Sequence, residues 1–318
     1  MTMPNQLMLS VDLDEWYHSR RWVDGQQAKA VPDTRALFRR IYGTDEPRGD
    51  VVAPTNALLQ MLRKRNVRVT FFVLGEVAEY YPDLVRKIAD EGHEVASHGL
   101  YHVDMTVLGP EVFKEHLAES IARLERLSGA RPVGYRAPNL VYEPWATEIL
   151  ERLGFTYDAS VCGSRPLGGK YRGWLGAPTF PYHPSYANIA APGEASLVEI
   201  PLPYFPVVKI AAGSSIITRI FGFHWTRTAI NYALKRGDAG YYLHPWELGE
   251  RPPVEGHYVK NLVFLRRTGR WTVRALDRLL AEHGHRVFTG SQAVSKLRER
   301  EGTKTVGRSR PSATLPRP

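Results

Sequence analysis

The chain has 318 residues, 43% of them apolar and 24% charged, in the range of an ordinary globular protein. A single cysteine, Cys162, excludes an internal disulfide and is compatible with a reducing compartment. No run of about 18 apolar residues is present to form a transmembrane helix, and residues 1–10 lack the basic-then-apolar pattern of a signal peptide, so a cytoplasmic location is expected.

Net charge is +9, from 42 Lys and Arg against 33 Asp and Glu. Residues 296–318 hold seven bases and two acids, rich in Gly, Ser and Pro after Glu301. This stretch is expected to be a disordered, solvated tail, suited at most to a weak contact with an anionic membrane surface. Nucleic-acid binding is not expected.

In chain order, Gln6–Val11 reads as a first strand. Residues 16–52 form a long excursion with a short helix at 35–42, of the length that walls or covers a site. Helix 54–65 follows, with Asn66 as its C-cap, then a buried strand at 67–74. Helix 82–91 is stopped by Gly92, and a strand occupies 93–97. Residues 110–127 carry the stripe Val112, Leu117, Ile121 and Leu124, an amphipathic helix with Pro110 in its first turn. Strands at 133–136, 155–158, 197–202, 240–243 and 286–289 alternate with helices at 145–153, 226–235 and 272–283. This rhythm predicts an α/β fold with a parallel sheet and no second folded domain. One domain over 1–295 and a tail over 296–318 are expected.

The polar residues of interest fall just after the expected strands, the face of a β/α barrel where chemistry is placed. His98 and His102 are four apart and share a face if the backbone there is helical. Asp12 and Asp14 lie on one side of an extended strand. Two imidazoles and a carboxylate with open positions suit a catalytic divalent ion, zinc first, with nickel, cobalt or manganese as alternates. The second carboxylate is then available as a base. Trp16, Tyr17, Trp22, Trp174 and Tyr204 are of the type that stacks on sugar rings, although aromatics more often fill cores.

Five motifs, spread over residues 6–289, together resemble the polysaccharide deacetylase family, also called the NodB-homology or carbohydrate esterase family 4 group. They are Ser10-Val11-Asp12-Leu13-Asp14, Ser97-His98-Gly99-Leu100-Tyr101-His102, Tyr135-Arg136-Ala137-Pro138, Tyr157-Asp158-Ala159-Ser160 and Leu243-His244-Pro245-Trp246-Glu247. The first departs from the commonest form, in which the two aspartates are adjacent. The resemblance implies an irregular (β/α) barrel of seven parallel strands. It also implies metal ligands Asp14, His98 and His102, a base Asp12 oriented by Arg136, and an acid His244. Asp158 would hold His244 in its donor form or contact Arg136. Substrate would meet Trp16, Tyr135, Pro138, Ser160 and Trp246, and a backbone N–H near 135–138 would stabilise the oxyanion. Residues 70–75 and 244–247 look most like deacetylases of exopolysaccharide and O-antigen loci. The implied activity is N-deacetylation of an amino sugar, nucleotide-linked or lipid-linked. An amidase or deformylase acting on another small amide and a non-catalytic glycan-binding relative are the alternatives.

Overall fold

A computed structural model describes residues 4–18, 29–166, 173–252, 263 and 265–308, with side chains through 301. Trp22 lies outside the described residues. Eight strands pair in parallel: β1 (Leu7–Leu13), β2 (Thr70–Val73), β3 (Glu94–Ser97), β4 (Gly134–Tyr135), β5 (Tyr157–Asp158), β6 (Val198–Glu199), β7 (Ala239–Leu243) and β8 (Val287–Phe288). Seven run in the order β6-β5-β4-β3-β2-β1-β7, and β8 adds an eighth, pairing with the start of β1. The expected seven-stranded barrel is therefore present, with one short strand more. Between its ends, Gly240 N–H donates to Pro201 O at 3.1 Å. A Cβ at Gly240 would stand 3.1 Å from that oxygen, so the absence of a side chain lets the seam narrow.

Strand alternation sorts the side chains. Leu7, Leu9, Val11 and Leu13 join an apolar layer with α2 (Val52–Lys64), α4 (Pro82–Asp90), α8 (Phe223–Leu234) and α9 (Arg270–His283). Met8 points the other way, into a plug with Phe72, Ala96, Tyr157, Val198 and Phe288. Ser10 and Asp12 sit above that plug and reach Arg136. Tyr157 fits because residue 134 is glycine: a Cβ there would fall 2.0 Å from the phenol ring. A second apolar cluster joins α5 (Met105–Ser128) and α6 (Ala146–Arg152) to Leu197.

Three helices were not legible in the periodicity: α3 (Gly75–Tyr80), α7 (Ser215–Phe221) and α10 (Gly290–Arg308). The excursion's short helix is α1 (Thr34–Tyr42), capped by Asp33. Residues 105–128 break at Gly109 (φ 68°, ψ 172°), so the helical stripe does begin at Pro110 as its proline suggests.

Helix α10 corrects the boundary drawn at 295/296 and the disorder expected from Glu301, because it runs continuously through both. Residues 309–318 lie outside the described residues. Lys296 is not a solvated tail residue. Its side chain is buried, and Nζ donates to Asp238 Oδ1 at 2.9 Å and to Pro4 O at 3.0 Å. Breaking a buried pair leaves an uncompensated charge, so Lys296→Met should lower stability by about 3 kcal/mol. Thermal or urea unfolding measures this, and an unchanged midpoint would show that α10 packs without energetic consequence.

Candidate active site

Asp12, His98, Arg136, Asp158 and His244 all stand at or just past the C-terminal ends of β1, β3, β4, β5 and β7. Parallel pairing makes these ends one face, as the sequence rhythm predicts.

Arg136 is fully buried in the barrel centre. Its Nη1 donates to Asp12 Oδ1 at 2.6 Å and to Ser10 Oγ at 2.9 Å, and its Nε donates to Ala159 O at 2.8 Å. The guanidinium carbon lies 4.2 Å from the Phe72 ring centre and 4.9 Å from that of Tyr242. These contacts fix both the arginine and the Asp12 carboxylate it holds.

Asp14 has a different fate. It stands beyond the end of β1, where its N–H turns back to Asp12 O at 3.0 Å. The two carboxylates therefore do not share one extended strand face, as expected from their spacing. Both Asp14 carboxylate oxygens are buried without a hydrogen-bond partner. Burial pushes this carboxyl up to about 7; His244 pulls it down and Asp12 adds to the rise.

One ligand atom each from Asp14, His98 and His102 lies within 4.8 Å of the others. Helical spacing does not bring the imidazoles together. Residues 98–104 are non-helical, and the chain turns sharply at Gly99 with φ 90°. His98 Nδ1 is engaged with Arg136 O at 2.8 Å, which turns Nε2 toward the cluster. Burial lowers the His98 pKa, favouring the neutral ring that a ligand must be. His102 Nε2 is 3.7 Å from Asp14 Oδ2, close to the separation of about 3.4 Å expected for two ligands each ~2.1 Å from a tetrahedral ion. A buried carboxylate without donors and two converging imidazoles fit a divalent cation.

His244 begins a short helical turn, 245–247, after β7. Its backbone N–H donates to Glu247 Oε2 at 2.9 Å, and its Nδ1 lies 3.3 Å from the same oxygen. Glu247 is held in turn by Arg219, through Nη2 at 2.6 Å and Nε at 3.0 Å, and by the Ser215 hydroxyl. Burial alone would raise Glu247, but Arg219 and then His244 outweigh it and lower its pKa. Burial alone would lower His244; Asp14 and Glu247 outweigh it and raise the imidazole to about 9. Trp246 stacks on His244, with ring centres 5.6 Å apart and planes at 24°.

Asp158 does not hold His244, nor does it hydrogen-bond Arg136. It accepts from Ser160 N–H at 2.9 Å and Ser160 Oγ at 2.8 Å, and shares a hydrogen bond with Glu199. Glu199 Oε1 accepts from Val161 N–H at 3.0 Å. Burial raises both carboxyls, Glu199 well above its ordinary value. Burial and the facing Asp158 both favour a proton on Glu199, while Asp158 accepts on both of its oxygens from Ser160.

The proposed sugar contacts sit deeper than expected. Trp16, Tyr135, Pro138, Ser160 and Trp246 are all buried. Trp16 donates to Asp50 Oδ2 at 3.0 Å, and Tyr135 packs on Phe113 and Phe155. Two N–H groups in the expected oxyanion stretch are spoken for: Arg136 N–H donates to Ser97 O at 3.0 Å and Ala137 N–H to Ser160 Oγ at 2.9 Å. Sequence reasoning missed Glu247, Arg219, Glu199 and His18, whose ring stacks on His102 with centres 5.9 Å apart. Only Glu247 carried a signal, three residues beyond His244 and before a helical turn.

Residues 45–157 match the family model described as polysaccharide deacetylase, and residues 162–289 match a domain of unknown function, DUF3473. Over 108 residues the chain is 39% identical to a peptidoglycan deacetylase-like protein of Gibberella zeae, covering 33% of this chain and 32% of that one. Over 98 residues it is 35% identical to a peptidoglycan-N-acetylglucosamine deacetylase of Bacillus cereus, covering 30% and 36%. The chain thus spans about a third of the length of these curated relatives. A structure from Mycobacterium smegmatis, solved as a polysaccharide deacetylase, superposes with a TM-score of 0.62 at 21% identity, covering 100% of this chain and 97% of that one. That likeness is one of fold. Segment 45–157, about a third of the chain, is thus similar to polysaccharide deacetylases in sequence.

The proton on Glu199 gives a pH dependence with a definite sign. A raised folded-state pKa favours the native state below the unfolded value near 4.5, and that stability is lost as pH rises. Glu199→Gln keeps an uncharged donor and should remove the loss. Its stability relative to the natural protein should therefore improve between pH 5 and pH 8, by up to about 1.4 kcal/mol per pH unit. Unfolding midpoints across that range check this; parallel curves would mean that no proton is held there.

Proposed function

We propose that this protein hydrolyses the N-acetyl group of an amino sugar in a surface glycan, releasing acetate and a free amine. The observation that carries the reading is the division between two aspartates. Asp12 is claimed by Arg136, while Asp14 turns two buried, undonated oxygens toward His98 and His102. A divalent ion held by Asp14, His98 and His102, zinc by preference for this donor set, would polarise the amide carbonyl and ease ionisation of water.

The chain's own groups supply the proton steps. Asp12 takes a proton from the attacking water as oxygen bonds to the carbonyl carbon. Arg136 keeps Asp12 ionised and aimed. His244 gives a proton to the nitrogen as the C–N bond breaks, and Glu247, 3.3 Å from its Nδ1, keeps that proton available. Glu247 and Arg219 position the imidazole rather than touch substrate.

The Bacillus cereus relative is named for an N-acetylglucosamine of peptidoglycan, which supports an N-acetylated sugar as the substrate class. Placement in O-antigen or exopolysaccharide assembly, with a nucleotide-linked or lipid-linked substrate, rests on the likeness of residues 70–75 and 244–247 to deacetylases of such loci.

Acetate and formate release from a panel of N-acylated sugars, with and without added metal, tests the reaction. Asp12→Asn should retain metal and lose turnover by about 10²–10⁴-fold, the size of general-base catalysis. Asp14→Asn, His98→Ala and His102→Ala should lose metal by elemental analysis. Metal loss in Asp12→Asn with retention in Asp14→Asn would invert the two roles.

A further inference from the structure

Residues 159–193 and 200–237 contain eight Lys and Arg and no Asp or Glu. Arg219 among them is buried on Glu247 and Arg227 pairs with Glu282, while Arg165 and Lys209 are exposed. The two segments meet in the fold: Arg165 N–H donates to Lys209 O at 2.7 Å, and residue 162 bridges to Leu202.

At that meeting point the chain projects a short hairpin. Tyr204 and Ala211 form an antiparallel bridge, and Phe205 N–H donates to Ile210 O at 2.7 Å. Its tip is Pro206-Val207-Val208-Lys209. Val207 is 81% exposed and Val208 40%, beside exposed Lys209 and Arg165. The base of the hairpin is braced by aromatic rings. Phe205 stacks on Trp225 at 4.0 Å, and Phe221, 46% exposed, stacks on the same indole at 4.6 Å. Trp225 Nε1 donates to Ala211 O at 3.3 Å.

Exposed valines on a rigid turn, aromatic rings behind them and bases around them combine the two attractions of an interfacial anchor. The apolar tip enters the headgroup–acyl boundary, and the bases meet anionic headgroups. The anchor also leads to the site. A pocket of about 190 Å³, lined by Leu140, Cys162, Leu202, Ala211, Ile217 and Tyr242 among others, lies between the hairpin and the catalytic face. Tyr242 closes it, with its ring centre 5.4 Å from that of His244.

We propose that the 204–211 hairpin, with Phe221 and the bases Arg165 and Lys209, docks this protein on an anionic lipid bilayer. This assignment stands on the exposed apolar tip and the acid-free charge, and does not rest on the deacetylase reading. It differs from the tail contact expected from sequence, because the attraction is placed on the folded domain.

The full chain is mixed with vesicles of phosphatidylcholine alone or with phosphatidylglycerol, and sedimented. Binding to the anionic vesicles alone, weakening with added salt, is expected. Val207→Asp with Val208→Asp should weaken it at least tenfold, and Lys209→Glu or Arg165→Glu about fivefold or more each. Unfolding midpoint and metal content should not move, which separates this test from that of the catalytic reading. Equal binding by the double variant, or no binding by the natural chain, would overturn the proposal. So would complete loss on changing Lys304, Arg308, Arg310 and Arg317 to Gln, which would return the attraction to the tail. A fall in solution mass in the double variant, with vesicle binding unchanged, would assign the tip to a second copy of the chain instead.

Discussion

The buried Arg136–Asp12 pair is the constraint around which the catalytic face is arranged. Desolvating two charges is expensive, and a single 2.6 Å contact would not offset it. The guanidinium also donates from Nη1 to Ser10 and from Nε to Ala159, and it lies between the faces of Phe72 and Tyr242. A lysine has neither the fork nor the flat face for these contacts. Because Arg136 occupies Asp12, Asp14 is the carboxylate left to meet the imidazoles. Arg136 also orients His98 through its carbonyl oxygen, so one residue sets the placement of both Asp12 and His98.

Two further buried carboxylate systems flank this pair and resolve in opposite ways. Glu247 has Arg219 as a neighbour and stays ionised, which lets it support the charge on His244. Glu199 faces Asp158 without a comparably close cation and holds a proton. The first arrangement serves a group that must carry a proton. The second is a buried strut between β5 and β6 that fixes the loop bearing Ser160.

The site draws on β1, which carries Asp12 and is followed by Asp14 outside both matched segments, and on each of the two segments. Residues 45–157 contribute His98, His102 and Arg136. Residues 162–289 contribute His244, its supports Glu247 and Arg219, the residues along the barrel seam and the basic hairpin. The segment of unknown function thus packs into the same strand-end face as the segment before it.

The sequence by itself determined the alternation of strands and helices, the parallel sheet and the set of polar residues at strand ends. These follow from local periodicity and from motifs a few residues long. Trp145–Leu153 and Thr272–His283 were legible because each pairs an apolar stripe with a closing glycine. The short helix at 215–221 and the long one at 290–308 were not, because Ser, Gly and charge blur their periods and tertiary contacts hold them. Lys296 illustrates the reason: only the distant Asp238 makes it a core residue. The same holds at the site. His98 and His102 were found as a pair, but a glycine turn rather than a helix joins them. The tertiary structure alone decided which distant group each carboxylate meets: Asp12 with Arg136, Glu247 with Arg219, Asp158 with Glu199. Those choices depend on separations in space between residues as many as 124 positions apart, and no local pattern encodes them.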